Sequence, residues 1–228
     1  MSTPARPRVL VCDDEQQILR ALRVILRDAN FEALPAATME EALDVAAVRA
    51  PEAAIIDLML PDGDGVELCR KLREWSTIPV IVLSAVGDED AKVRALAAGA
   101  DDYVTKPFGP RELIARLEAN LRRSAGGSED SLVTAPGLEL DLARHTVTVD
   151  GAEVHLTPTE FDLLRELARN RGRLLTHREL LVAVWGSGYG DDTQVLRAHM
   201  ANLRRKIETV DGPGLIRTES GVGYRFAS

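Results

Sequence analysis

The sequence predicts an α/β protein of two domains, a doubly wound parallel sheet of five βα units followed by a small α+β domain. Three observations support this fold class. The chain has 228 residues, 45% of them apolar, which is enough for two ordinary cores. Its first half alternates short apolar runs with longer segments of helical period, the pattern of a parallel sheet covered by helices. Its second half places helical segments among short strand-like runs.

The first half supplies five strands and five helices in alternation. The predicted strands are residues 8–12, 32–36, 53–57, 80–84 and 102–105. The predicted helices are residues 16–29, 39–49, 65–75, 90–98 and 110–123. Open sheets of this kind bind their ligands outside the carboxyl ends of the strands, so residues there are candidates for chemistry.

A small, polar, glycine-rich stretch separates the two halves. Residues 124–131 are SAGGSEDS, a composition typical of flexible connections. We therefore expect domains at residues 1–123 and 132–228, joined by a linker at residues 124–131.

The second half combines short strands with well-marked helix starts. Thr157 and Thr176 each stand at a predicted N-cap with a Glu three residues later, the capping-box pattern. Asp150 and Gly151 provide a hairpin turn. The predicted strands are residues 138–142, 146–149, 153–156, 215–218 and 224–226, and the last helix covers residues 193–209 before Gly212, Pro213 and Gly214.

The net charge of −8 argues at first against a nucleic-acid-binding protein. Residues 1–130 carry 16 Lys and Arg against 23 Asp and Glu, a balance of −7. Residues 131–228 carry 12 against 13, a balance of −1. The acidity belongs to the first half, so the second half can bind phosphates if its positive charges gather on one face.

Neither export nor membrane insertion is expected. Apolar runs such as residues 78–85 fall short of the roughly 20 residues that a membrane span needs, and the N-terminus lacks an apolar signal core. Cys12 and Cys69 lie in apolar patterns without CxxC spacing, so we interpret them as buried thiols rather than a disulfide or metal site. We expect a cytoplasmic protein with no membrane partner.

Five polar residues fall at the carboxyl ends of the predicted strands. Asp13 and Asp14 follow the first strand, Asp57 ends the third, Ser84 ends the fourth and Lys106 follows the fifth. Three carboxylates at one sheet edge repel one another, so the cluster persists only if a cation neutralises it or if some of the carboxylates remain protonated. Hard oxygen ligands suit Mg²⁺, which keeps several waters and accepts a phosphate as a further ligand.

This set predicts phosphoryl transfer. With Mg²⁺ and Lys106 screening its charge, an incoming phosphoryl group can be attacked by Asp57, while Ser84 bonds a phosphoryl oxygen. The alternative is that Asp13 and Asp14 cap the following helix and that Ser84 merely ends a strand. That alternative accounts for single residues but not for all five.

The strings around these residues resemble the response-regulator receiver, a domain of flavodoxin-like (βα)5 fold. They are VLVCDDE, IIDLMLPDGDG, VIVLSA and GADDYVTKPF. The resemblance implies Asp57 as phosphoacceptor for a sensor histidine kinase, and Mg²⁺ held by Asp13, Asp14, Asp57 and the backbone carbonyl of Met59. It also implies a cis peptide at Lys106-Pro107 and Tyr103 as the rotating aromatic of the switch. Without it, Tyr103 is simply a half-buried aromatic at the sheet edge.

Charges in residues 92–123 resemble the dimer face of the OmpR/PhoB family. In that family Lys92 would pair with Glu112, Asp101 with Arg116, and Asp102 with Arg123 across a two-fold axis, giving a homodimer on phosphorylation. On charge pattern alone, an ordinary solvated surface is an equal alternative, since exposed ion pairs are individually weak.

The helix at residues 193–209 carries a local basic excess that suits a DNA groove. Its RRK string alone is equally typical of a cationic helix end that complements the helix dipole. The strings LTPTEFDLL, LLTHRELLVAVWG and IRTESGVGYRF around it resemble the OmpR/PhoB winged helix. The resemblance places Arg197, Ala201 and Asn202 at bases, and it places near backbone phosphates Trp185, His199, Arg205, Thr218 and Tyr224. Arg204 of the basic helix is a further predicted DNA-binding residue.

Four strings are most similar, within that family, to regulators of a high-affinity potassium-transport operon: PDGDG, LREWSTIPVIVLSA, EVHLTPTEF and LRAHMANLRRKIE. We predict a phosphorylation-dependent transcriptional regulator rather than an enzyme, with double-stranded promoter DNA and RNA polymerase as partners. One alternative is an Mg²⁺-dependent phosphohydrolase that forms a phosphoaspartate, a class that generally carries a second acid where Met59 stands here. Others are a family regulator of another operon and a DNA-binding protein with a degenerate receiver, which the five-residue pocket disfavours.

Overall fold

The computed structural model describes residues 6–85, 89–125, 132–142, 144–186, 189, 192–208 and 214–227, with the side chains of residues 123–125 left out. The chain divides into two compact units, Met1–Ser124 and Ala125–Ser228. Of the predicted linker, residues 124 and 125 continue a helix and residues 126–131 lie outside the described part. The predicted domain limits therefore remain a prediction.

The first unit follows the predicted alternation of strands and helices. Its strands are β1 (Arg8–Cys12), β2 (Glu32–Ala36), β3 (Ala53–Asp57), β4 (Met59–Leu60), β5 (Gly63–Asp64), β6 (Val80–Ala85) and β7 (Asp102–Lys106). Its helices are α1 (Gln16–Asp28), α2 (Met39–Arg49), α3 (Gly65–Arg73), α4 (Glu89–Ala97) and α5 (Pro110–Ala125). The hairpin of β4 and β5 is the feature that the sequence pattern did not predict.

Five parallel strands form the sheet, in the order β2-β1-β3-β6-β7. Alternate side chains of each strand enter opposite cores, because successive residues of a strand face opposite ways. On one face Val9, Ile55 and Leu83 pack with Leu22 of α1 and Leu113 of α5. The other core lies against α2, α3 and α4 and includes Leu10, Ile56, Val82, Ala46, Leu72 and Ala95. The doubly wound α/β prediction is confirmed.

The second unit contains two antiparallel sheets and three helices. One sheet has the order β11-β10-β9-β8 and the other has the order β12-β14-β13. The strands are β8 (Leu132–Ala135), β9 (Leu138–Asp141), β10 (Thr146–Val149), β11 (Ala152–Glu153), β12 (Leu174–Thr176), β13 (Ile216–Glu219) and β14 (Gly223–Phe226). The helices are α6 (Pro158–Arg169), α7 (His177–Trp185) and α8 (Thr193–Ile207). This is the predicted small α+β domain.

Local signals fixed the helix starts of this unit. Thr157 and Thr176 both form complete capping boxes, with Glu160 and Glu179 as the reciprocal partners. Asp150 and Gly151 both have positive φ, 50° and 80°, as the predicted two-residue hairpin turn requires.

Three strand predictions were incomplete. The sequence pattern did not identify β8 or β12, which are four and three residues long. The predicted strand at residues 153–156 is reduced to β11, because the backbone turns there into the capping box of α6.

The last helix ends at Ile207, and residues 209, 212 and 213 of the predicted helix end lie outside the described part.

Gly223 begins a strand rather than serving only the turn. A Cβ at this position would come within 1.9 Å of the carbonyl oxygen of Leu175, so the close pairing of β14 with β12 requires glycine here. Among the helices of the described ranges, none has the length and apolarity needed to span a membrane.

Candidate functional site

The carboxyl edge of the parallel sheet gathers the predicted polar residues. Carboxylate oxygens of Asp13, Asp14 and Asp57 lie within 4.8 Å of one another. The ammonium of Lys106 contacts both buried members, at 2.9 Å from Asp13 Oδ2 and 3.0 Å from Asp57 Oδ1. Asp14 is the exposed member of the cluster. Three segments of the chain, separated by up to 93 residues, thus build one small polar pocket.

Ser84 adds an unsatisfied hydroxyl to the same edge of the sheet. It is the fifth residue of β6, which pairs with β3 so that Leu83 lies opposite Asp57. Its side chain is buried, and its hydroxyl has no hydrogen-bond partner within the described part of the protein. Buried polar groups are nearly always hydrogen-bonded, so this hydroxyl is available to an incoming oxygen.

The electrostatics of the pocket favour an added cation. Burial raises the pKa of Asp57 above its usual 3.8, and the nearby Asp13 adds to the rise, although Lys106 opposes both. Burial works to lower the pKa of Lys106, but its hydrogen bonds to Asp13 and Asp57 raise it, so this side chain stays charged. One ammonium balances one of three carboxylates, which leaves the pocket negative.

Two further residues implied by the resemblance flank this pocket. Met59 lies in β4, two residues after Asp57, and its side chain is 78% exposed. Tyr103 lies half-buried in β7, and the ammonium of Lys92 sits 4.8 Å from the centre of its ring. The Lys106-Pro107 peptide bond is cis, as the resemblance implied.

The charges of the expected dimer face are paired within the chain. Lys92 contacts Glu89 at 2.7 Å, and Arg116 contacts Glu112 at 2.9 Å and Asp102 at 3.3 Å. The Asp101 carboxylate is fully buried and binds Arg73 at 2.7 Å, so pairing with a partner's Arg116 would require it to leave Arg73. The side chain of Arg123 lies outside the described part.

The basic helix α8 presents one exposed stripe. Gln194, Arg197, Ala201 and Arg205 are exposed and recur at helical spacing, so they share one face. Arg205 also donates a hydrogen bond to the side-chain oxygen of Asn202 at 3.0 Å. This stripe contains two of the predicted base contacts, Arg197 with its long side chain and Ala201 with its small one.

Other predicted DNA contacts of this unit are packed inside it. His199 is fully buried with its ring 5.4 Å from that of Trp185, and Asn202 is 3% exposed. Arg204 is held by the last hairpin, 2.6 Å from the carbonyl oxygen of Ile216 and 2.8 Å from the hydroxyl of Thr218. The two predicted contacts in the last hairpin differ. Thr218 is exposed, whereas Tyr224 is buried, with the guanidinium carbon of Arg204 lying 5.6 Å from the centre of its ring.

Three residues of these sites were not identified from the sequence. Gln194 stands three residues before Arg197, so helical spacing could have found it. Arg73 binds Asp101 from 28 residues away, and Asp62 binds the start of α2 from 22 and 23 residues away. No local pattern reports contacts at such separations.

The fold and the pocket define the class of this protein. Residues 9–118 match the family described as the response regulator receiver domain. Residues 151–226 match the family described as transcriptional regulatory protein, C terminal. The chain is therefore a response regulator, a receiver joined to a winged-helix DNA-binding domain, and it belongs to the OmpR/PhoB family.

Full-length relatives support this assignment. The chain is 51% identical to the transcriptional regulatory protein KdpE of Mycobacterium tuberculosis over 221 residues, covering 96% of this chain and 98% of that one. It is 48% identical to the KDP operon transcriptional regulatory protein KdpE of Escherichia coli, with the same coverage. The crystal structure of DrrB, an OmpR/PhoB homologue of Thermotoga maritima, has 32% identity and a TM-score of 0.52, covering 98% of this chain and all of that one.

Proposed function

We propose that this response regulator takes a phosphoryl group on Asp57 from a KdpD-like sensor histidine kinase. The observation that carries the proposal is the pocket itself: three clustered carboxylates, with Lys106 bridging two of them, and a Ser84 hydroxyl that has no hydrogen-bond partner among the described residues. An acidic cluster alone could serve several purposes. An acidic cluster with a bound ammonium and an unsatisfied hydroxyl suits an incoming phosphoryl group.

The residues of the pocket fit Mg²⁺. Their donors are hard carboxylate oxygens, and they carry more negative charge than Lys106 neutralises. In this proposal Asp13, Asp14, Asp57 and the backbone carbonyl of Met59 hold the ion. When bound there, Mg²⁺ supplies charge neutralisation for the phosphoryl oxygens.

The side chains then divide the work of the transfer. An Asp57 oxygen attacks phosphorus, and the bond from phosphorus to the donor breaks as the new one forms. Lys106, already 3.0 Å from Asp57, stabilises the charge on the phosphoryl oxygens, and the Ser84 hydroxyl donates to one of them. Movement of Ser84 towards the phosphoryl group opens space that Tyr103 can fill, which gives the switch.

The output of the switch is dimerisation and promoter binding. The proposed dimer face consists of Lys92, Asp101, Asp102, Glu112, Arg116 and Arg123. The exposed stripe on α8 suits the major groove, where a dimer reads two half-sites. Because KdpE proteins are such similar relatives, we propose a potassium-transport operon as the target and RNA polymerase as a further partner.

The proposed location is the cytoplasm. Both cysteines are buried and neither forms a disulfide, as expected of a protein in a reducing compartment. Burial raises the pKa of Cys12 and of Cys69 to about 12, so both thiols stay protonated and unreactive at neutral pH.

Intact mass measurement after incubation with acetyl phosphate and Mg²⁺ tests the proposed function. We expect one stable phosphoryl adduct that is lost in Asp57→Ala. Rapid multiple turnover of the donor would instead favour the phosphohydrolase, although the exposed Met59 offers no second acid for it. An adduct that persists in Asp57→Ala would show that another residue is the acceptor.

A further inference from the structure

The hairpin of β4 and β5 follows Asp57 directly and contains Met59. It consists of two residue pairs, Met59 with Asp64 and Leu60 with Gly63. A two-stranded hairpin is marginal in water even when it is longer than this one. Contacts outside the hairpin must therefore determine where its backbone lies.

Gly65 fixes the base of the hairpin against Asp57. Its amide donates to the carbonyl oxygen of Leu58 at 2.9 Å. A Cβ at Gly65 would come within 2.1 Å of the carbonyl oxygen of Asp57, so only glycine allows this approach. The two ends of the hairpin are thus held together beside the phosphoacceptor.

Asp62 fixes the tip of the hairpin to helix α2. One carboxylate oxygen accepts the amide of Met39 at 2.8 Å, and the other accepts the amide of Glu40 at 3.0 Å. These are the first two residues of α2, whose amides have no partner within the helix. Gly63 lies against the same turn, where an added Cβ would come 2.9 Å from Cε of Met39.

Helix α2 also has a cap of its own. The hydroxyl of Thr38 accepts the amide of Glu41 at 3.1 Å, and the Glu41 carboxylate accepts the amide of Ala37 at 2.7 Å. The helix start is therefore served locally, as an N-cap normally provides. The contact from Asp62 matters more for the hairpin, because it supplies two hydrogen bonds that link the hairpin tip to α2, beside the packing of Leu60 on the core.

Asp62 is charged and close to the pocket, but its oxygens are committed. The hydrogen bonds from Met39 and Glu40 lower its pKa, so the carboxylate is ionised at neutral pH. Its charge is the foremost electrostatic contribution to the raised pKa of Cys12, ahead of Asp13 and Asp57. Both oxygens accept amides of α2, and Asp62 does not belong to the cluster of Asp13, Asp14 and Asp57, so it adds charge near the pocket without joining that cluster.

We propose that Asp62 is a positioning residue that fixes the Met59 backbone for Mg²⁺ binding by tying the hairpin tip to α2. The inference rests on the proposed function, in which the Met59 carbonyl is a ligand. In metal sites, groups that orient a ligand commonly contribute about 10-fold to 100-fold in affinity. The positive end of the α2 dipole further stabilises the charged carboxylate in this position.

Calorimetric titration of the unphosphorylated full-length protein with Mg²⁺ provides the test. We expect Asp62→Ala to weaken Mg²⁺ binding about tenfold. Asp62→Asn keeps one acceptor oxygen, and we expect it to restore part of that affinity. Phosphorylation of Asp62→Ala by acetyl phosphate should be slow at limiting Mg²⁺ and approach the wild-type rate at saturating Mg²⁺.

Thr38→Ala is the matched control, because it removes a cap from the same helix start without touching the hairpin. It should leave Mg²⁺ affinity within about twofold of wild type if ligand orientation, not helix stability, is the cause. In Asp62→Ala, hydrogen exchange should accelerate at the Met39 and Glu40 amides. The other amides of the receiver should stay protected, which shows that the domain remains folded. Asp62→Asn serves if the alanine variant does not fold.

An equal loss of Mg²⁺ affinity in Asp62→Ala and Thr38→Ala would overturn the inference. So would an Asp62→Ala variant whose Met39 and Glu40 amides exchange faster while its Mg²⁺ affinity is unchanged. A loss that saturating Mg²⁺ does not repair would also contradict it. Failure of the proposed function looks different, because wild type itself would then bind no Mg²⁺ or form no adduct at Asp57.

Discussion

The receiver pocket and helix α8 differ in how the structure arranges the site residues that the sequence predicts for each. In the pocket, four strands and loops bring Asp13, Asp57, Ser84 and Lys106 to one edge, and the predicted residues converge. On α8, the predicted DNA contacts separate, with Arg197 exposed and His199 packed inside.

Geometry explains this difference. The carboxyl ends of parallel strands all open on one edge, so position along the strand is enough to place a side chain. A helix turns its residues around an axis, and a helix packed on a core gives up about half of its surface. Membership in a DNA-binding helix therefore does not specify which side chains reach DNA.

Lys106→Ala should produce the largest effect on the pocket side of this comparison. Removing the ammonium that contacts Asp13 and Asp57 should slow phosphorylation by acetyl phosphate about 1,000-fold, the upper range for loss of one preorganised charge stabiliser. Single-turnover mass measurement follows the adduct. Lys71→Ala removes the same charge from α3 and should leave the rate unchanged, and a slow Lys71 variant would point to net charge instead.

His199→Ala tests the buried side of α8. Loss of the ring that packs on Trp185 should lower the free energy of unfolding of the second unit by about 3 kcal/mol, as for a large core truncation. Urea unfolding followed by Trp185 fluorescence, in a Trp75→Phe background, measures it. An unchanged stability together with weaker DNA binding would show that His199 is a phosphate contact after all.

Arg197→Ala tests the exposed side of the same helix. We expect it to weaken binding to a promoter duplex identified by footprinting by about 2 kcal/mol, which is the contribution of a good base contact. The free energy of unfolding should stay unchanged. Fluorescence anisotropy against a random duplex of equal length separates base reading from phosphate attraction. Asn202 is buried but accepts a hydrogen bond from Arg205 of the exposed stripe at 3.0 Å. Asn202→Ala should therefore also weaken binding to the specific duplex more than to the random one, and equal loss on both would make Asn202 a positioning contact.

Arg116→Glu tests the proposed dimer face with a smaller effect. The reversal removes the intramolecular contact with Asp102 and should lower the phosphorylation-induced dimer fraction, with a change of about 1 kcal/mol in association. Sedimentation of the phosphorylated protein measures the fraction. Arg111→Glu, an exposed reversal on the same helix, is the control, and equal losses would indicate nonspecific repulsion.

Asp57→Asn should produce the smallest effect, a gain in receiver stability at neutral pH. The folded state raises the pKa of Asp57, so the unfolded chain ionises first and stability is lost as pH rises from about 3.8 through the raised pKa. The gain should shrink as the pH is lowered towards 3.8, because the folded carboxyl takes up its proton first. Trp75 fluorescence in a Trp185→Phe background reports the receiver, and a gain independent of pH would refute this cause.

Much of the fold could be predicted from local pattern. The central strands β1, β3 and β6 of the receiver carry nearly continuous apolar runs because both of their faces are covered. Thr157, Thr176 and the Asp150-Gly151 turn announce their elements because caps and tight turns depend on a few adjacent residues. The short strand β12 was missed because it forms by pairing with the distant β14. Strand β8 was missed although it pairs with its neighbour β9 across residues 136–137.

Local patterns were enough to predict the doubly wound receiver, the helix starts of the second unit and the residues of the acidic pocket. Their signals are the apolar period, the turn chemistry and the order of residues along the strands, and each is local. The contacts of Asp62 with α2 and of Arg73 with Asp101 appear only in the folded chain, as does the packing of His199 inside while Arg197 faces outward. Those outcomes depend on which surfaces meet when the chain packs, and the free energy of burial selects them over the whole unit.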